Sequence, residues 1–153
     1  MALTRLSEHF TLSEFIESST AKKRNIDNTP NSEIVGNIQE LVNVILEPLR
    51  AAWGSGIKVN SGYRCPALNK AVGGSSTSAH TTGWAADIKP ANGKIAEFKS
   101  FVMKWLKNNN MAFDQYINEF SGNSQWVHIA LYNRNKQQRK QYLKYKNGIY
   151  TRV

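Results

Sequence analysis

The 153-residue sequence holds a single cysteine, Cys65, which excludes an intrachain disulfide framework. No neighbour of Cys65 points to an activated thiolate, and the residue reads as small and partly buried. No apolar run is long enough to cross a bilayer. The opening MALTRLSEHF lacks the apolar stretch of an export signal, so the expected location is cytoplasmic at synthesis, with any action elsewhere following release. Repeats, linkers and a second composition are also missing, which leaves one domain over residues 1–153. Acidic residues stop at Glu119.

A hydrophobic content of 41% and an aromatic content of 10% fit a folded globular chain. Twenty basic residues against eleven acidic ones give a net charge of +9. The excess is concentrated late, where Arg134, Lys136, Arg139, Lys140, Lys144, Lys146 and Arg152 follow the last acid. Such a cluster favours a polyanion: nucleic acid, an anionic membrane or an acidic wall polymer. A solvated basic face without a specific partner fits the charge equally well.

Along the chain, Thr11 and Glu14 form a capping box that starts a short helix at Leu12. Thr29 with Pro30 marks the start of the next helix. Its apolar stripe runs Ile34, Val35, Ile38, Leu41, Val42, Ile45, Leu46, Leu49, with Pro48 predicting a kink or an end near Leu46. IKVN reads as a short strand leading into SGYRCPALN, and WAADI (84–88) as another. NGKIAEFKSFVMKWLKN is an amphipathic helix. FDQYINEF and QWVHIAL are strands joined through SGNS, and QYLKYKNGIYTRV is a hairpin turning at Asn147-Gly148. Strands mixed with helices without regular alternation predict a small α+β domain with a basic C-terminal hairpin at about 134–153.

On WVHIAL, alternation separates Trp126, His128 and Ala130 from Val127, Ile129 and Leu131, and the second set has the character of core. The same rule separates Asp87 from Trp84, Ala86 and Ile88. His80 lies in a loop of small residues, SSTSAHTTG. Two imidazoles and a carboxylate match a catalytic zinc site with three protein ligands. The facial triad of Fe(II) oxygenases uses the same set, although its first histidine and carboxylate usually stand almost adjacent. Taken singly, each residue also fits a structural role, as a satisfied core histidine or an aspartate paired to an arginine.

SAHTTGWAAD fits the Ser-x-His-x-x-Gly-x-Ala-x-Asp signature of the M15 zinc peptidases, the group of D-Ala-D-Ala carboxypeptidases and phage L-alanyl-D-glutamate endopeptidases. Upstream, VNSGYRCPALNKAVGGSS resembles the family's Ser-Gly-Tyr-Arg segment with its later Asn and Gly-Gly. Downstream, WVHIAL resembles its Trp-Val-His strand, and EHFTLSEF and IDNTP resemble small phage and bacterial members. The resemblance covers most of residues 8–131. It implies the hedgehog/DD-peptidase fold, a mainly antiparallel sheet flanked by helices. It implies Zn2+ held by His80, Asp87 and His128, with Arg64 stabilising negative charge and Ser78 and Trp126 serving the substrate. The implied substrate is the peptide stem of peptidoglycan. A monomeric phage-type endolysin is the first expectation, virion-associated or acting on the wall after release, with the basic hairpin holding an anionic wall or outer membrane and no specific nucleic acid. The alternatives are a bacterial D-Ala-D-Ala carboxypeptidase of the same family and a non-catalytic wall-binding module.

Several family members carry an acid three positions before the last ligand histidine. Here that position is Gln125, which cannot accept a proton. Glu119 is the replacement: with 121–124 as the hairpin loop it lies opposite Trp126 and diagonal to His128, about 7–8 Å away on the same face. A register slip of one residue would turn it away. Asp114 is the weaker candidate.

Overall fold

A six-stranded sheet in the order β1-β2-β4-β3-β5-β6 organises the protein, which a computed structural model describes over residues 4–153. The strands are β1 (Ile57–Ser61), β2 (Ala85–Pro90), β3 (Gln115–Ser121), β4 (Ser124–Ala130), β5 (Gln141–Lys146) and β6 (Ile149–Arg152). Neighbours run antiparallel except β3 and β5, which are parallel. Helices α1 (Leu12–Ile16), α2 (Ser19–Arg24), α3 (Ser32–Leu41), α4 (Glu47–Trp53), α5 (Pro66–Ala71) and α6 (Ile95–Asn108) complete an α+β fold. Among the described residues, no helix is long and apolar enough to cross a membrane.

Period-two alternation divides the sheet into a core face and a site face. Ala86 and Ile88 of β2, Tyr116 of β3, and Val127 and Ile129 of β4 are fully buried in one core with Phe98, Val102 and Leu106 of α6. Helix α6 has no side-chain cap at its start. Each of its buried apolar side chains contributes roughly 1.5–3 kcal/mol, more than the ~1 kcal/mol of a good cap, so packing holds it in place. The opposite face carries Asp87, His128 and Glu119.

Three local features refine the expectations, and a fourth meets them. The cap of α3 is Asn31, whose side chain accepts from the Ile34 N–H at 2.9 Å; Thr29 instead bonds back to Asp27. The helix does not end near Leu46. It winds through a π segment (Val42–Leu46) and continues as α4, with the Glu47 N–H bonding to the Val42 carbonyl. The wider turn accommodates Pro48, which lacks an N–H and crowds the carbonyl four residues back. The β3–β4 connection is tighter than SGNS: both strands run to Ser121 and Ser124, and Gly122-Asn123 makes the turn. The C-terminal hairpin turns at Asn147-Gly148 as expected, both at positive φ, and β5 joins the sheet beside β3.

Candidate active site

Asp87 and His128 are partners in the β2–β4 ladder, so their side chains emerge together on the site face. His80 arrives from a 3₁₀ turn, Ala79–Thr82, which Ser78 caps by accepting the His80 N–H at 3.2 Å. Gly83 closes that turn at φ 81°, a conformation costly for other residues, and a Cβ there would lie 3.0 Å from Ile38. Gly62 packs so tightly that a Cβ would come within 2.7 Å of the Phe15 backbone. Its carbonyl takes a 2.7 Å hydrogen bond from His80 Nδ1. That bond fixes the tautomer and aims the Nε2 lone pair into the site.

The His80 Nε2 and His128 Nδ1 atoms stand 3.2 and 3.1 Å from the same oxygen, Asp87 Oδ1. All three residues are buried, and one potential ligand atom from each lies within 4.8 Å of the others. Burial disfavours the charge on Asp87, but the two imidazoles outweigh it and hold the carboxyl below the usual range. Burial also lowers His80, consistent with a neutral ring. His128 is raised: burial opposes its charge, and the hydrogen bond and charge of Asp87 prevail. Two nitrogens and one oxygen converging on a small volume, with one ring already oriented by a carbonyl, fit the donor set of a zinc site with an open position.

Arg64 follows β1 and donates from Nη2 to Asp87 Oδ2 at 3.3 Å, from Nε to Ser61 Oγ and from Nη1 to Asn69 Oδ1. Glu119 pairs with Trp126 across β3–β4, and Trp126 Nε1 donates to its Oε2. Burial raises the Glu119 carboxyl and the charge of Asp87 adds to it, although His128, Trp126 and Arg64 pull the other way. These groups line a cleft of about 530 Å³ that also includes Ser78, Asp114, Tyr145 and Tyr150.

The pattern of one protein family, described as Peptidase M15, matches residues 8–130. The chain belongs to the peptidase M15 family. A comparison with curated proteins finds no match. The protein is therefore an M15 metallopeptidase, with the buried His80-Asp87-His128 group as its metal-binding triad.

In this M15 peptidase the cleft brings together His80, Asp87, His128, Arg64, Ser78, Glu119 and Trp126. Asp114 lines it too, but is fully buried and gripped by Arg139, whose Nε and Nη2 each donate at 2.8 Å. A carboxylate so engaged serves the β3–β5 junction and is poorly placed to take a proton. Gln125 turns to the opposite face, where its Oε1 accepts from Lys99 Nζ at 2.6 Å. His9 stands apart and clamps Glu47 at 2.8 Å.

Four supporting residues received no role from the sequence. Asn28 accepts from the Cys65 N–H and donates to the Ile16 and Tyr63 carbonyls, fixing the backbone on both sides of Arg64. Asn69 donates to the Ser75 carbonyl while accepting from Arg64, which ties the His80 loop to the guanidinium. Tyr145 and Tyr150 reach the cleft from the C-terminal hairpin. Asn28 and Asn69 lie within the IDNTP and SGYRCPALN segments noted in the sequence, and Pro66 in the first turn marks the start of α5.

Proposed function

We propose that this M15 peptidase is a zinc-dependent L-alanyl-D-glutamate endopeptidase acting on the peptide stem of peptidoglycan, as a phage-type endolysin does. The observation that carries the reading is a half-buried carboxylate, Glu119, on the same sheet face as the ligand triad and one diagonal step from His128. His80, Asp87 and His128 would hold the zinc. When bound, zinc supplies a Lewis acid that polarises the scissile carbonyl and makes water nucleophilic near neutral pH.

Glu119 accepts the proton of the attacking water and returns it to the leaving amine. Its elevated proton affinity suits both halves of that task, and the Trp126 N–H holds the carboxylate in place through Oε2. Arg64 stabilises negative charge developing on the substrate oxygen. Ser78 holds the His80 turn in shape and presents the small-residue wall over which the stem would lie.

Arg139, which also lines the cleft, is held by Asp114 and is not free to clasp a terminal carboxylate, which favours an internal bond over a carboxypeptidase reading. The basic hairpin and its neighbours supply charge for holding an anionic wall. Incubating a soluble stem peptide with the zinc-loaded protein tests the proposal. Cleavage between L-alanine and D-glutamate, abolished by chelation and restored by zinc, is the expected outcome. Release of D-alanine alone would favour the carboxypeptidase, and binding without cleavage the wall-binding module.

A further inference from the structure

We propose that Tyr145 and Tyr150 form a specificity-determining wall that binds the portion of the substrate on the amine side of the scissile bond. The placement follows from sheet register. Trp126 pairs with Glu119, Glu119 with Tyr145, and Tyr145 with Tyr150, so these residues form one row across β4, β3, β5 and β6. The neighbouring row runs Asp87, His128, Ile117, Leu143. Strands lie about 4.8 Å apart, which puts the two tyrosines on the side of Glu119 away from the triad, one and two strands out.

The two rings touch, with centroids 4.5 Å apart and planes at 45°, and both line the cleft. Tyr150 is nevertheless 58% exposed. An aromatic pair that packs on one side and faces a cleft on the other offers a large, rigid contact surface at little entropic cost. Burial raises the Tyr150 phenol and the charge of Glu119 raises it further, so the hydroxyl lies within the field of that carboxylate. Both strands lie beyond residue 130, where the family match ends, so the wall belongs to a part of this chain that the match does not describe.

The direction of the substrate rests on the reading of Glu119 as the base. A base that protonates the leaving nitrogen must come within about 3 Å of it. The chain beyond that nitrogen then departs past Glu119, across β5 and β6. The acyl half lies towards Arg64 and the Gly73-Gly74-Ser75 wall on the opposite side. For a stem peptide cut before D-glutamate, the wall contacts the glutamyl residue and those that follow.

Two peptides with a common acetyl-L-alanyl half test this on the zinc-loaded chain: one ending at D-glutamate, the other continuing through lysine and D-alanine. The wild type should prefer the longer one. Tyr150→Ala and Tyr145→Ala should raise KM for the long peptide about tenfold, the effect of losing roughly one ring face of apolar contact, with much less change in kcat. Tyr150→Phe should keep the preference, as should Ile149→Ser, a substitution at an exposed neighbour outside the cleft. An unchanged preference in Tyr150→Ala, or an equal fall in kcat on both peptides, would overturn the proposal. Calorimetry on zinc-loaded Glu119→Gln protein reads the wall without turnover. There, adding Tyr150→Ala should weaken the long peptide about tenfold, and binding indifferent to Tyr150 defeats the wall alone. Failure of both peptides to bind defeats the stem-peptide reading and the wall with it, whereas undiminished turnover by Glu119→Gln defeats the base and the assignment of the wall to the amine side.

Discussion

Replacing Glu119 by glutamine separates proton transfer from every other property of the site. The amide keeps the size of the side chain and an oxygen that can still accept the Trp126 N–H. It leaves the triad untouched, since the potential ligand atoms belong to His80, Asp87 and His128. What disappears is basicity. Asp114 cannot replace it at short range, being held through both oxygens by Arg139, and Gln125 is an amide on the other face with Lys99. The loss should therefore reach the full range for general-base assistance, about 10²–10⁴-fold in kcat, or roughly 3–5 kcal/mol of transition-state stabilisation. Stability should move the other way in the chelated protein. Burial and Asp87 raise the Glu119 carboxyl above its ordinary value of 4.5, so the ionised form destabilises the fold. The stability associated with the protonated form is complete below 4.5 and is lost as pH rises through the folded-state value, so the variant should melt higher than wild type at pH 7 and level with it near pH 4. Turnover of a soluble stem peptide, zinc content and a melting curve at both pH values form the assay. Near-normal turnover with zinc present would refute the assignment. Asp114→Asn should lose stability and keep most of its turnover per folded molecule.

His128→Ala should lose zinc, measured by elemental analysis, while circular dichroism shows the fold retained, because Val127, Ile129 and Leu131 form the buried side of that segment. Lys99→Met should stabilise the protein by about 1–2 kcal/mol at pH 7 in urea unfolding. Burial and Lys144 push the Lys99 ammonium down to about 8 from 10.5, so the folded state bears the full cost of that charge below pH 8. The advantage of the variant should shrink as pH rises from about 8 and vanish above 10.5. Changing Lys140, Lys144 and Lys146 together to glutamine should weaken sedimentation with whole walls, most at low salt, and hardly alter cleavage of a soluble peptide.

The triad was legible because two local rules suffice for it. Alternation placed Asp87 and His128 on faces opposite their apolar neighbours, and a run of small residues marked the loop that bends His80 inwards. The face of Glu119 followed from the Glu119–Trp126 pairing, which the structure retains although the turn is two residues shorter than expected. At Pro48 the sequence left a kink or an end open, because the proline rule speaks for an α-helix and not for a π turn, while the stripe continuing to Leu49 argued for continuity. The six-residue helices α2 and α5 are too short to show a periodic stripe. The parallel β3–β5 pairing left no local trace at all. It depends on the Asp114–Arg139 clasp and on Tyr142 packing against Phe113 and Tyr116, contacts between segments 25 or more residues apart. The tyrosine wall was hidden for the same reason.

Mass spectrometry of the fragments released from purified peptidoglycan by the zinc-loaded protein tests the central claim most directly. Cleavage before D-glutamate predicts stem fragments with a new glutamyl amino terminus and glycan strands retaining only L-alanine, all absent after chelation. Intact stems from a protein that demonstrably holds zinc, or stems shortened only by a terminal D-alanine, would contradict the account.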